Sequence, residues 1–101
     1  MLFLVRFTDR PNSAAIREKF LAEHFAWLDT NAARIPVAGA IREVPGTPPV
    51  ASIWVVSGES PEDVLALVDA DPFWRNGLRA TREVFHYAVH SALMKREGFV
   101  S

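Results

Sequence analysis

A chain of 101 residues, half of them hydrophobic and 23% charged, suits one small domain with a single core and leaves no room for extensive disorder. Eleven basic side chains stand against twelve acidic ones, a net charge of −1 that offers no footprint for nucleic acid or an anionic membrane. With no cysteine there is no disulfide, thiol nucleophile or thiolate metal site, which suits the cytoplasm, and no apolar run is long enough to cross a bilayer.

Met1, Phe3, Val5 and Phe7 alternate with Leu2, Leu4 and Arg6, so residues 1–7 read as a strand. Arg6 follows the apolar run at once and no basic segment precedes it, which argues against a signal peptide. Asp9-Arg10-Pro11-Asn12-Ser13 is turn and cap chemistry, in which short oxygen-bearing side chains satisfy the free amides of a helix start. A helix is expected from about Ala14 to about Arg34, with Ile16, Phe20, Leu21, His24, Trp27 and Leu28 along one side; Pro36 closes it. Val37–Val44 reads as a second strand. The turn-rich Pro45-Gly46-Thr47-Pro48-Pro49 leads into a third, Val50–Ser57, and so short a loop makes the two a hairpin.

Ser60-Pro61-Glu62-Asp63 is a strong helix start, with serine as cap, proline at the first position and acids facing the positive helix end. That helix presents Val64, Leu65 and Val68 and should end near Ala70. In Asp71-Pro72-Phe73-Trp74-Arg75-Asn76-Gly77, Asp71 can cap a short extra turn that Pro72 begins and Gly77 finishes. The last strand is expected over Arg82–His90. Residues 1–90 then form the domain and 91–101 a tail of ambiguous pattern.

The order βαββαβ predicts an α+β, ferredoxin-like fold: a four-stranded antiparallel sheet with two helices on one face. Strand one offers Phe3 and Val5 to one side and Leu2 and Leu4 to the other. Strand three offers Ile53 and Val55 against Trp54 and Val56, and the last strand Phe85, Tyr87 and Val89 against Val84 and Ala88. Both sheet faces are thus apolar, but two helices cover only one. A bare apolar face of this size is unusual in a monomer, so a homodimer joined face to face is expected.

His24 lies three or four residues from Phe20, Leu21, Trp27 and Leu28, which puts it on the core-facing side of its helix. It either plugs the helix against the sheet or, beside a cleft, moves a proton, since imidazole changes charge between about pH 5 and 8. Arg17, two helical turns earlier, shares its azimuth about 10 Å away. It is either a solvated arginine near a helix start or a holder for an anionic group. Asp71 follows the second helix, which lies beside the first in this topology. It either caps the turn or accepts a proton from one ring nitrogen of His24 and frees the other as a base.

Taken together, Asp9-x-Pro11-Asn12, Arg17, His24 followed by Leu28, Ala38-Gly39, Ser52 and Asp71-Pro72-Phe73 with Gly77 resemble the YciI-like (YCII-related) family of dimeric α/β-barrel proteins over roughly residues 1–90. The resemblance implies a cleft holding a His–Asp pair, onto which His24 and Asp71 fall. Asp9 and Arg17 match polar positions near the same cleft, and Ser52 matches a serine in strand three. Members usually carry Gly-Ser where this chain reads Ala51-Ser52, and the added methyl is expected to narrow the pocket. One branch resembles enzymes that eliminate HCl from chlorinated hydroquinones, and the wider superfamily includes muconolactone isomerases and cofactor-free monooxygenases. Their shared demand is proton movement on a small cyclic substrate, for which an imidazole–carboxylate pair suffices without a cofactor.

Other signals carry less. His86 and His90 share a face of the last strand, but four strand residues span about 13 Å, whereas each ligand to a zinc ion lies about 2 Å from it; no metal site is expected. Trp27, Trp54 and Trp74 read as core or interface side chains. Two functions from different classes fit the whole. One is a small cofactor-free lyase or isomerase in which His24 is general base or acid, Asp71 fixes its tautomer, and Arg17, with Asp9 and Ser52 nearby, holds a small-molecule substrate. The other is a dimeric binding or accessory domain without chemistry, His24 lining its pocket and Asp71 only capping. Geometry separates them: a hydrogen-bonded His24–Asp71 pair beside a cavity of about 300 Å³ or more favours the enzyme.

Overall fold

A computed structural model describes residues 1–90; the expected tail, 91–101, lies outside the described residues. The elements are β1 (Leu2–Asp9), α1 (Ala14–Thr30), β2 (Val37–Ile41), β3 (Ala51–Ser57), α2 (Pro61–Val68), α3 (Pro72–Arg75) and β4 (Arg79–His86). Every strand pairing is antiparallel and the sheet order is β2-β3-β1-β4. This is the expected α+β ferredoxin-like arrangement, with the one-turn α3 inserted before the last strand.

Register decides what the helices cover. Phe3, Val5 and Phe7 of β1 stand opposite Val56, Trp54 and Ser52 of β3, and all six are buried. Val64, Leu67 and Val68 of α2 complete the core with Ile35, and Trp27 and Leu28 of α1 pack at its edge. Each apolar side chain fully buried in this way contributes about 1.5–3 kcal/mol. The opposite sheet face divides in two. Leu4 lies between Val55 and Phe85, an apolar strip, while Arg6 and Glu83 form an ion pair at 2.8 Å and the hydroxyls of Thr8 and Thr81 meet beside it. That face is therefore more polar than the strand patterns of Leu2, Leu4, Ile53 and Val55 suggest.

Helix starts differ in their chemistry. Ser60 Oγ accepts from the Asp63 N–H at 3.1 Å, and Asp71 Oδ1 accepts from the Phe73 N–H at 3.1 Å, both as expected. Ser13 does not cap α1 with its side chain; its hydroxyl donates back to the Arg10 carbonyl at 2.6 Å. α1 stops at Thr30 instead of Arg34: the Asn31 side chain shares the Trp27 carbonyl with its own backbone N–H, at 2.8 and 3.1 Å, and beyond it the Ala32 and Arg34 N–H groups bond three residues back, to Asp29 and Asn31. The turn beyond it carries Ile35 into the core.

β2 stops at Ile41 instead of Val44. Past that point the loop ties to itself, with Arg42 Nε donating to the Thr47 carbonyl at 2.9 Å. β4 begins at Arg79 instead of Arg82 and ends at His86, so Tyr87, Ala88, Val89 and His90 lie beyond it. The Tyr87 N–H still reaches the Leu2 carbonyl at 3.0 Å. Among the described residues no helix is long and apolar enough to cross a membrane, and no cluster of three or more histidine or acidic side chains is placed to hold a metal ion.

Candidate active site

His24 is the one buried residue of α1. Its Nδ1–H donates to Asp71 Oδ1 at 2.7 Å, and its ring stacks on Phe73 with centroids 4.0 Å apart and planes at 17°. Asp71 is wholly buried, and its other contacts are also with donors: the Phe73 N–H on Oδ1 and Arg79 Nε on Oδ2 at 3.4 Å. A carboxylate met only by donors places the shared proton on Nδ1, so Nε2 is the basic nitrogen of the ring. The helix cap and the bond to His24, alternatives for Asp71 in the sequence, fall to the same oxygen. The turn that holds it is fixed by Pro72 at the start of α3 and by Gly77, whose φ of +80° suits glycine.

Arg79, absent from the sequence-based set, sits behind the pair at 2% exposure. Nη1 donates to Ser52 Oγ at 2.8 Å and lies 3.7 Å from Asp9 Oδ1, while the guanidinium rests 4.2 Å above the Phe7 ring. Burial pushes its pKa down from the ordinary arginine value, and the carboxylates of Asp71 and Asp9 oppose that shift. Thr81, Glu83 and Phe85 share the outer sheet face with their partners on β1, and simple alternation sends Arg79 there too. It points the other way because the register slips between Thr8 and Asp9: Thr8 faces Thr81 but Asp9 faces Arg79, leaving Ala80 as an extra residue. Such a bulge re-aims the side chains beyond it.

Arg17 donates from Nη2 to Asp9 Oδ2 at 2.5 Å and lies 5.1 Å over the Phe73 ring. Asp9 Oδ1 is buried and accepts no hydrogen bond among the described residues; Arg79 is its charged neighbour. A continuous chain of charges therefore runs Arg17–Asp9–Arg79–Asp71–His24.

Both ends of that chain reach a cleft of about 380 Å³ between α1 and the β2 side of the sheet. Arg17, Leu21, His24 and Phe25 form its helical wall, and Ser52, Trp54 and Phe73 its floor. The cleft stays open because the facing strand brings only Ala38, Gly39 and Ala40, and α1's apolar side is shared between the core edge and this wall. Asp9 does not line it; it stands behind Arg17. The methyl of Ala51 does not narrow it either. Ala51 pairs with Thr8 and Ile41 and alternates with Ser52, so it faces the opposite side of the sheet. Arg42 also reaches the cleft. Its spacing from Ala38 and Ala40 is the period-2 signal that marks it in the sequence. Arg79 has no such signal, because its direction depends on the bulge.

Fold and cleft together define a class: small ferredoxin-like domains in which an imidazole–carboxylate pair borders an open cleft at the sheet edge. The model of the YCII-related domain matches residues 1–88, and the chain belongs to that family. Among solved structures it is similar to the 5-chloro-2-hydroxyhydroquinone dehydrochlorinase of Burkholderia phenoliruptrix, determined with 2,5-dihydroxybenzoquinone. The two are 33% identical, the match covers 89% of this chain and 96% of that one, and the TM-score is 0.80. A cofactor-independent oxygenase from Streptomyces nogalater shares the fold at 15% identity, covering 90% of this chain and 95% of that one with a TM-score of 0.52. No curated protein matches the chain. Enzymes acting on small molecules thus occur on this fold.

Proposed function

We propose that the protein is a cofactor-free lyase or isomerase that moves protons on a small hydroxylated ring, with His24 as the base and acid and Asp71 holding its tautomer. The observation that carries this reading is the 2.7 Å bond from His24 Nδ1 to a fully buried carboxylate, beside a cleft of about 380 Å³. A filled space around His24 would have favoured a non-catalytic binding domain.

The other polar side chains have complementary tasks. Ser52 Oγ accepts from Arg79, which leaves its own proton free for a substrate oxygen. Arg17 keeps N–H donors beyond the one engaged by Asp9 and meets an anionic substituent. For a chlorinated hydroquinone, the class suggested by the 33% identical relative, His24 Nε2 takes a hydroxyl proton as the O–H pair becomes a carbonyl. The imidazolium returns that proton to the carbon bearing chlorine. Deprotonation of a second hydroxyl then drives the ring electrons outward and chloride leaves. The sum is loss of HCl, so the balance needs no outside oxidant or reductant. The protein works as a homodimer joined through the outer sheet face, where the strip of Leu4, Val55 and Phe85 lies.

Turnover of chlorinated hydroxyhydroquinones and small lactones, compared between the wild type and His24→Ala, tests the assignment. His24→Ala is expected to abolish turnover with circular dichroism unchanged; undiminished turnover overturns it.

A further inference from the structure

We infer that Arg79 is the positioning residue for the polar lining of the cleft, setting the base, the hydroxyl donor and the anion-binding arginine through one buried guanidinium; the inference rests on His24 being the proton-transfer group. The guanidinium has three oxygen neighbours, and each leads to a different cleft residue. Asp71 Oδ2 at 3.4 Å leads to His24, Ser52 Oγ at 2.8 Å is itself in the cleft, and Asp9 Oδ1 at 3.7 Å belongs to the carboxylate that holds Arg17. Only a rigid planar fork addresses three acceptors in fixed directions; an ammonium on a flexible stem does not. The site has spent a bulge and a fully covered charge on this placement, and the core gains little from it, since a buried ion pair is seldom more stabilising than packed apolar side chains.

Charge makes the effect specific. Arg17 and Arg79 balance Asp9 and Asp71, so the network is complete with His24 neutral, the form a base needs. Without Arg79, two carboxylates face one guanidinium and the surplus negative charge favours imidazolium. Of the other charged groups on the packed elements, Glu18, Lys19, Glu23 and Asp29 on α1, Arg42 past β2 and Arg75 on α3 are exposed to solvent, Arg82 on β4 is paired with Asp69, and Arg6 and Glu83 pair on the outer sheet face.

Two variants and one wild-type measurement test this. In Arg79→Lys and Arg79→Gln, kcat is expected to fall by about 10²-fold, the lower range for general acid–base catalysis, and in Arg79→Gln, which alone loses the charge, the acid limb of the pH–rate profile should move to higher pH. In ¹⁵N-histidine-labelled protein Arg79→Gln should populate imidazolium at a pH where the wild type shows Nδ1–H alone. Wild-type spectra need no variant to fold: the Arg79 Nε–H resonance should shift as the His24 ring titrates. A folded Arg79→Gln variant with the wild-type pH limb and histidine ¹⁵N pattern overturns the inference, whatever its kcat, and so does full kcat in Arg79→Lys or an Arg79 resonance that ignores His24. Full turnover in His24→Ala would instead remove the catalytic reading while leaving the spectroscopic comparison to stand or fall by itself.

Discussion

Phe73 serves His24 twice: its ring lies 4.0 Å from the imidazole centroid, and its backbone N–H holds the Asp71 oxygen to which the imidazole donates. Ring plane and acceptor are fixed by one residue. Phe73→Leu keeps the backbone bond and most of the buried volume but removes the stacking surface. Steady-state kinetics should show kcat falling more than KM rises, with a modest loss in denaturant midpoint. Phe73→Ala should instead cost about 3–5 kcal/mol of stability, the usual penalty for emptying a buried aromatic site.

Asp71→Asn retains an oxygen for the cap but removes the charge between His24 and Arg79. An amide N–H directed at the ring favours the wrong tautomer, and Arg79 loses a counter-charge in a buried setting. Urea denaturation should register a loss of about 3–5 kcal/mol, as for other broken buried pairs. Turnover should fall by at least about 10²-fold. Wild-type stability in the Asp71→Asn variant would show that the carboxylate carries little of the network's charge balance.

The cleft exists because β2 is built from small side chains. Ala40 is exposed and shares its sheet face with Ser52, its partner on β3. Ala40→Leu should therefore fill the cleft without disturbing the core: ligand binding by calorimetry is lost while the melting temperature moves little. A filled cleft that still turned over substrate would place the reaction elsewhere.

Gly77 closes α3 at φ +80°, with nothing within 4 Å of where a Cβ would stand. Gly77→Ala thus meets no clash, only the backbone cost of a left-handed conformation, about 1–2 kcal/mol. Thermal or urea unfolding should show that loss, with the pH–rate profile unchanged because Asp71 remains at the other end of the turn.

Phe85 is 44% exposed on the outer sheet face, opposite Leu4. Phe85→Asp sets a charge into the proposed dimer seam and should give an 11.3 kDa species by sedimentation at micromolar concentration. The wild type should sediment at twice that mass; a monomeric wild type removes the dimer from the account.

Legibility in the sequence followed the range of the interactions. Strand alternation and the Ser60-Pro61 and Asp71-Pro72…Gly77 signals depend on neighbours within a few residues, and they located the sheet, α2 and α3 closely. Helical spacing likewise put His24 on the buried side of α1. Element ends differ where a side chain bonds a nearby backbone carbonyl and the chain turns, as Asn31 does at Trp27 and Arg42 at Thr47. The outer face looks apolar from Leu2 and Leu4, and its polar half comes from Arg6 and Thr8, whose partners on β4 are distant in sequence. Arg79 escaped notice for the deepest reason: its direction is settled by a slip in pairing between β1 and β4, and period-2 reasoning assumes that no slip occurs.

That slip gives the length of the chain at Ala80 a weight that residue identity does not reveal. A single codon gained across from it, between Thr8 and Asp9, would give Ala80 a partner, restore an uninterrupted ladder and swing the guanidinium through to the far side of the sheet, the side that carries Arg6 and Glu83. His24, Asp71, Arg17 and Ser52 would all survive in the text of the gene, and the hollow they border would be disarmed all the same. Among homologues, the residue counts on the two sides of that slip, Thr8 to Asp9 and Arg79 to Thr81, are therefore a better guide to a working cleft than the roster of its visible side chains.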